Sequence, residues 1–319
     1  MPPKTEVIPP EVVIDNVTAI IGESAVLHRL TLVVPAGQVT VLMGPSGVGK
    51  TTLIKHVVGL LEPSGGTVRI GGQDIWEMSK EELREVRKGM GAMLGGHNLY
   101  STSVFSSLSV LDNLLYTLES LGVPESERRH RAMARLSELR LMDDLERKPE
   151  ELPAHAIKRL ALARALVADA PLTVLDEIDV GMDAEHSAAM VNAVRGLRAR
   201  TGCTLLLTTH NLGLARSVAD NLAIMVNGRI VAFGPPGEVL DGIQSTEDFD
   251  RRFEFSDYVG PPRLEDVEAA AVRKRPKTRK VYHLTIVPQM VIIAVIALIL
   301  ITAVFLAARV FASGTLLLF

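Results

Sequence analysis

From Val12 to about Gly234 the chain alternates short, nearly continuous apolar runs with longer amphipathic stretches. That is the pattern of an α/β domain whose strands are mostly buried. Three runs matter most: Val39-Thr40-Val41-Leu42-Met43, Leu172-Thr173-Val174-Leu175 and Thr204-Leu205-Leu206-Leu207-Thr208. Their near-continuous apolar character predicts central parallel strands covered on both faces. Each ends in polar residues, and ligands of open parallel sheets bind outside the carboxyl ends of strands, so the three ends are expected to converge on one site. Between Ser79 and Lys148 the pattern predicts mainly helix. Val68-Arg69-Ile70 with Gly71-Gly72 predicts a turn-containing β segment, and Leu222 to Val226 followed by Asn227-Gly228 and Arg229 to Ala232 predicts a hairpin.

Beyond Leu240 the periodicity fades through Gly260-Pro261-Pro262 into the basic run Arg273-Lys274-Arg275-Pro276-Lys277-Thr278-Arg279-Lys280, which reads as a linker. Val281 to Ala308 then has no formally charged side chain when His283 is neutral, and Met290 to Ala308 is almost wholly aliphatic. A membrane-spanning helix needs about 20 predominantly apolar residues, and an aliphatic run on all faces favours a span over a buried C-terminal helix. The basic run before it and only Arg309 after it put the preceding domain in the cytoplasm, in a single-pass protein of the cell inner membrane.

Composition narrows the rest. The chain has 319 residues, 47% hydrophobic and 22% charged, enough for a real core, and its net charge of -3 offers no general reason to bind nucleic acid. Cys203 is the only cysteine, which excludes an internal disulfide and the usual cysteine metal sites. The opening MPPKTEVIPP lacks the apolar stretch of a secretory signal.

Gly44-Pro45-Ser46-Gly47-Val48-Gly49-Lys50-Thr51 fits the P-loop pattern, between an apolar strand and a helical segment starting near Leu53. Glycines let backbone N–H groups curl around phosphate oxygens, the helix N-terminus adds its dipole, and Lys50 supplies a point charge. Thr51 is expected to ligate magnesium. At the second strand end Asp176 can hold the magnesium through a water, while Glu177 can polarise the water that attacks a γ-phosphate. Adjacent acids are often only solvated; the P-loop in the same domain gives these two a task. At the third end His210 stands where it can sense the γ-phosphate.

In this order the residues resemble the nucleotide-binding subunit of ABC transporters over roughly Val12 to Val239. Gly44 to Thr52, including Thr52, matches the Walker A segment, Leu172 to Glu177 the Walker B strand with its catalytic glutamate, Val180-Gly181-Met182-Asp183 the D-loop and His210 the switch histidine. Ser109 to Asn113 resembles the start of the helical subdomain and Lys158 to Leu166 its signature helix. Thr209-His210-Asn211, Val218-Ala219-Asp220-Asn221 and Phe233-Gly234-Pro235 are most similar to the ATPases of Mce- and Mla-type lipid importers. The resemblance implies a P-loop α/β fold of ABC type: a mostly parallel core sheet, a small antiparallel β part and a helical subdomain, here with one C-terminal transmembrane helix. It implies a nucleotide-binding domain at 1–245 with the helical subdomain near 97–168, to which the hydropathy and charge pattern adds an extension and basic linker at 246–280, the span at 281–309 and a tail at 310–319. It further implies ATP and magnesium as cofactors, permease subunits, a second ATPase as homodimer or heterodimer, and possible lipid-transfer proteins as partners.

Three departures stand out. The signature that normally reads Leu-Ser-Gly-Gly-Gln is Leu152-Pro153-Ala154-His155-Ala156, without the serine that closes over the γ-phosphate of the opposite subunit. The glutamine that opens the loop facing the permease is Gly95. Where an aromatic ring stacks on adenine, the alignment puts Ile21 or Ile20, which covers the base without a ring. Weak hydrolysis by the chain alone follows, and with it the alternative of a membrane-anchored ATP-binding scaffold paired with a conventional ATPase.

Overall fold

The computed structural model describes residues 8–95, 103–179, 182, 184–255 and 260. Among them the strands form two sheets. The larger has the order β10-β9-β3-β8-β7-β6, with β3 at Val39–Met43, β6 at Met90–Met93, β7 at Leu172–Leu175, β8 at Thr204–Thr208, β9 at Asn221–Val226 and β10 at Arg229–Gly234. The three predicted central strands lie side by side and parallel, Val39 beside Leu205 and Leu172 beside Thr204. Every residue of β3, β7 and β8 is buried. Alternate side chains enter different clusters, Val39, Val41, Leu175, Leu205 and Leu207 in one, Leu42, Leu172, Val174 and Leu206 in the other. The apolar runs are continuous because both faces are covered.

The hairpin β9–β10 turns at Asn227 and Gly228, both at positive φ, 48° and 70°, as a primed two-residue turn requires. The smaller sheet, order β2-β1-β4-β5, is antiparallel: β1 is Val12–Ile21, β2 Ser24–Val34, β4 Gly65–Ile70 and β5 Gln73–Asp74.

Helix α1 spans Lys50–Val57, α2 Lys80–Lys88, α3 Val110–Ser120, α4 Glu125–Glu138, α5 Ala154–Leu166, α6 Ala184–Thr201 and α7 Leu212–Val218. Ser109 caps α3, its hydroxyl accepting the Asp112 N–H at 3.1 Å. Buried Arg135 of α4 joins Glu138 of its own helix and Asp169, and Arg200 of α6 reaches the same two carboxylates, tying the helical part to the sheet.

Two expectations change. Met90–Met93, within the stretch predicted as mainly helical, is a strand pairing parallel to β7 from Met90 beside Leu172 to Met93 beside Leu175. After the short α8 (Pro236–Val239), the extension begins as helix α9 (Thr246–Arg252), started by a capping box of Ser245 and Asp248. Its Phe249 is buried in the main cluster, and Phe253 and Phe255 meet it edge-on at 5.0 and 5.1 Å. The aromatic spacing governs this part of the extension; the predicted basic linker Arg273 to Lys280 lies outside the described residues. Among the described residues no helix is long and apolar enough to cross a membrane; the predicted span 281–309 lies outside them.

His56 on α1 is fully buried. Its Nδ1–H donates to the Leu61 carbonyl, while Nε2 has no partner among the described residues. Burial lowers its pKa from 6.5, outweighing the Leu61 bond. Below 6.5 the unfolded chain takes up a proton the folded chain refuses, so this stability is complete above that pH and falls as acid is added. Urea unfolding at neutral and mildly acid pH is expected to show a shallower pH slope for His56→Leu than for the parent; equal slopes would contradict the assignment.

Candidate functional site

The P-loop lies where β3 stops and α1 starts. Gly49 is the N-cap of α1 at φ +108°, with Val26 and Leu27 of β2 so close that a Cβ would stand 2.9 Å from each side chain. Glycine alone suits that backbone and that clearance. No side chain caps α1, so its first-turn N–H groups are open to an anion. Lys50, 4% exposed, folds back over the loop and donates from Nζ to the carbonyls of Gly44 at 2.7 Å and Pro45 at 2.8 Å. Burial lowers its pKa to about 8, against the opposing pull of Glu177 and Asp176. Ser46 and Gly47 form the exposed crest of the loop, Val48 is packed beneath it, and Thr51 and Thr52 follow half-buried on the helix.

Asp176 continues the ladder beyond β7, its N–H donating to Met93 O at 2.8 Å. Its carboxylate is fully buried and joins three parts of the chain. Oδ2 accepts the Thr51 hydroxyl at 2.7 Å and the Gly95 N–H at 3.3 Å, while Oδ1 accepts the Thr208 hydroxyl at 2.6 Å. Glu177, half-buried, takes the left-handed backbone region at φ 52°, which is costly for a residue with a side chain and recurs at functional sites. His210 follows β8 in a segment set by two local bonds: Thr209 Oγ1 accepts the Asn211 N–H at 2.9 Å, and Asn211 Oδ1 caps α7 through the Leu214 N–H at 3.0 Å. Partial burial first, then the Lys50 ammonium, keeps the His210 pKa below its ordinary value. A cavity of about 310 Å³ beside it is lined by Gly44, Pro45, Thr246 and Phe255.

The three strand ends therefore meet. Hydrogen bonds join Thr51, Asp176 and Thr208, and Lys50 and His210 feel the same carboxylates. Ile21 stands at the turn end of the β1–β2 hairpin, 50% exposed, and Ile20 beside it is partly buried. Of the D-loop, Val180, Gly181 and Asp183 lie outside the described residues, and Met182 packs on the main cluster. Gly95 lies against the two carboxylates: a Cβ there would stand 2.9 Å from Asp176 Oδ2 and 3.2 Å from Glu177 Oε2.

Helix α5 starts at the altered signature. Pro153 is its N-cap with no side-chain hydrogen bond, Ala154 is exposed, and the His155 ring lies 4.4 Å from that of His186. The sequence reading missed two residues here. From the sequence Thr208 reads only as a strand end, and buried Lys158 on α5 has its pKa lowered by desolvation while it feels the charges of Asp179, Glu177 and Asp176. A polar residue closing an apolar strand is the signal for the first; for the second, it is the place of Lys158 at the start of the segment resembling the signature helix.

The ABC transporter family model matches residues 27–179. The chain is 36% identical over 249 residues to the "Probable ribonucleotide transport ATP-binding protein mkl" of Mycobacterium leprae, covering 78% of this chain and 70% of that protein. It is 33% identical over 218 residues to the "Methionine import ATP-binding protein MetN" of Myxococcus xanthus, covering 68% and 64%. Among solved structures, the dimeric post-hydrolysis state of the ATP-binding cassette MJ0796 with ADP and Pi is similar at a TM-score of 0.64 and 25% identity, covering 70% of this chain and 98% of that one. The strand-end site, the two-sheet architecture and these relatives agree that the chain belongs to the ATP-binding subunits, the ATPases, of ABC transporters.

Proposed function

We propose that this subunit binds Mg-ATP at the P-loop and energises an importer of Mce or Mla type for lipid or another hydrophobic substrate. The observation that supports nucleotide chemistry best is the convergence of Lys50, Thr51, Asp176, Glu177 and His210 at the three strand ends. Magnesium suits the donor set, since the Thr51 hydroxyl and the Asp176 carboxylate are hard oxygens already in contact at 2.7 Å. Bound there, it would neutralise charge on the phosphates.

In this reading the loop amides of Gly44 to Lys50 cradle the phosphates, and Lys50 exchanges its loop carbonyls for phosphate oxygens. Glu177 accepts a proton from the attacking water. His210 contacts the terminal phosphate, and Ile21 or Ile20 covers the base. The experiment is a calorimetric titration with an ATP analogue. Lys50→Ala is expected to weaken binding about 30-fold or more, the scale for truncating one member of a buried charge pair. Parental affinity would remove the site assignment.

The lipid reading is supported by the family resemblance of Thr209 to Asn211, Val218 to Asn221 and Phe233 to Pro235. A second reading, ribonucleotide import, has the name and 36% identity of the mkl relatives in its favour. Selectivity belongs to partner subunits, so the proteins and small molecules retained after gentle detergent extraction separate the two. The partners proposed are permease subunits, a second ATPase and lipid-transfer proteins.

The uncharged stretch Val281 to Ala308 and the basic run before it support an anchor with the ATPase domain on the cytoplasmic side. Truncation after Lys280 is expected to move the chain from the membrane to the soluble fraction. Retention of the truncated chain on membranes without any permease would contradict a sole anchor there.

A further inference from the structure

Thr208 is the last residue of β8 and is fully buried. Its one hydroxyl makes two hydrogen bonds, both to the end of the neighbouring strand. It donates to Asp176 Oδ1 at 2.6 Å and accepts the Glu177 N–H at 2.7 Å. The topology explains why a side chain is needed. The parallel register sets Leu175 beside Leu207, so Asp176 and Thr208 are the next residues on adjacent strands. Asp176 still spends its N–H in the ladder, on Met93. Glu177 then turns to φ 52° and leaves the ladder, and its N–H takes another acceptor, the Thr208 hydroxyl. With Asp176 Oδ1 taken by Thr208, Oδ2 is the atom turned to Thr51 and Gly95.

We infer that Thr208 is a positioning residue for the ATPase reaction: its hydroxyl fixes which Asp176 oxygen faces Thr51 and holds the left-handed backbone that presents Glu177. This rests on the roles proposed above for Asp176 and Glu177. Valine keeps the shape of threonine and lacks the hydroxyl. Thr208→Val leaves the buried Asp176 Oδ1 and the Glu177 N–H without this partner, and the carboxylate is then held through Oδ2 alone.

The test compares the parent, Thr208→Val, Thr208→Ser and Glu177→Gln in the full-length protein. ATP binding is titrated calorimetrically with and without magnesium, and phosphate release is followed in a single turnover with protein in excess. For Thr208→Val, magnesium-free affinity stays parental, while the gain in affinity from magnesium and the release rate each fall about tenfold, the scale of a hydrogen bond to a charged group. Thr208→Ser behaves as the parent. If the valine variant fails to fold, Thr208→Ser and Thr208→Ala, which differ by the hydroxyl alone, make the same comparison. Parental magnesium dependence and release in Thr208→Val, beside slow release by Glu177→Gln, overturns the inference and leaves the glutamate's role standing. Parental release by Glu177→Gln overturns that role itself, and the magnesium titration still reads Thr208 through Asp176. A lower melting temperature with unchanged magnesium dependence makes Thr208 only structural and overturns the inference.

Discussion

The triple change Pro153→Ser, Ala154→Gly, His155→Gly is expected to raise ATP turnover by the purified chain about 100-fold or more. In the family this resembles, the loop closes over the γ-phosphate of the opposite subunit, with a serine hydroxyl and close backbone approach. Losing one such preorganised donor costs about 10²–10³ in rate. Here α5 starts at a proline that offers no side-chain hydrogen bond, and the next side chains add an exposed Ala154 and the bulk of His155 against His186. The variant should fold. A serine N-cap gains about 1 kcal/mol, which offsets much of the cost of two first-turn glycines, up to about 1 kcal/mol each. Steady-state phosphate release in detergent checks it. Turnover that stays parental, with ATP binding and dimer closure normal, would place the lesion elsewhere.

From sequence alone, Gly95→Gln would restore the family's glutamine. The structure argues against a further gain. A Cβ at Gly95 would press on Asp176 Oδ2 at 2.9 Å, and that carboxylate is held by Thr51, Thr208 and the Gly95 N–H itself. The close approach of Gly95 and its N–H are part of the site as built.

In the signature-restored background, Glu177→Gln is expected to abolish most of the regained turnover, about 100-fold or more, the scale of general-base catalysis. ATP binding should change little and the dimer should persist. Glutamine keeps the side-chain length and leaves the N–H to Thr208 Oγ1 at 2.7 Å in place, so the lost group is the proton acceptor alone. Binding by calorimetry, phosphate release and size-exclusion of the ATP-bound protein read the three effects separately. An unchanged hydrolysis rate would reject the glutamate as base.

Much of this site was legible because its signals are local. The P-loop glycines, the apolar runs ending at Met43, Leu175 and Thr208, and the Asn227-Gly228 turn each declare themselves within a few residues, and the parallel topology then brings the strand ends together. Strand β6 was missed because Met90-Gly91-Ala92-Met93 has no β-branched or aromatic residue. Its glycine answers to a distant neighbour: a Cβ on Gly91 would meet the Ala165 carbonyl of α5 at 2.2 Å. Helix α9 had a capping box to announce it, but Phe249, Phe253 and Phe255 show their purpose only once the core they cover exists. Thr208 depends on the register of β7 against β8, and Lys158 on the docking of α5, neither of which any single segment encodes.

The central claim is that the nucleotide half of the site is whole and the half offered to a partner is not. Steady-state ATP hydrolysis by the purified, unmodified chain tests it most directly. Tight Mg-ATP binding is expected, with turnover about 100-fold or more below that of the signature-restored variant and still above that of Glu177→Gln. Brisk hydrolysis by the unmodified chain alone would contradict it, and would show that Pro153 to Ala156 work as a signature in their own right.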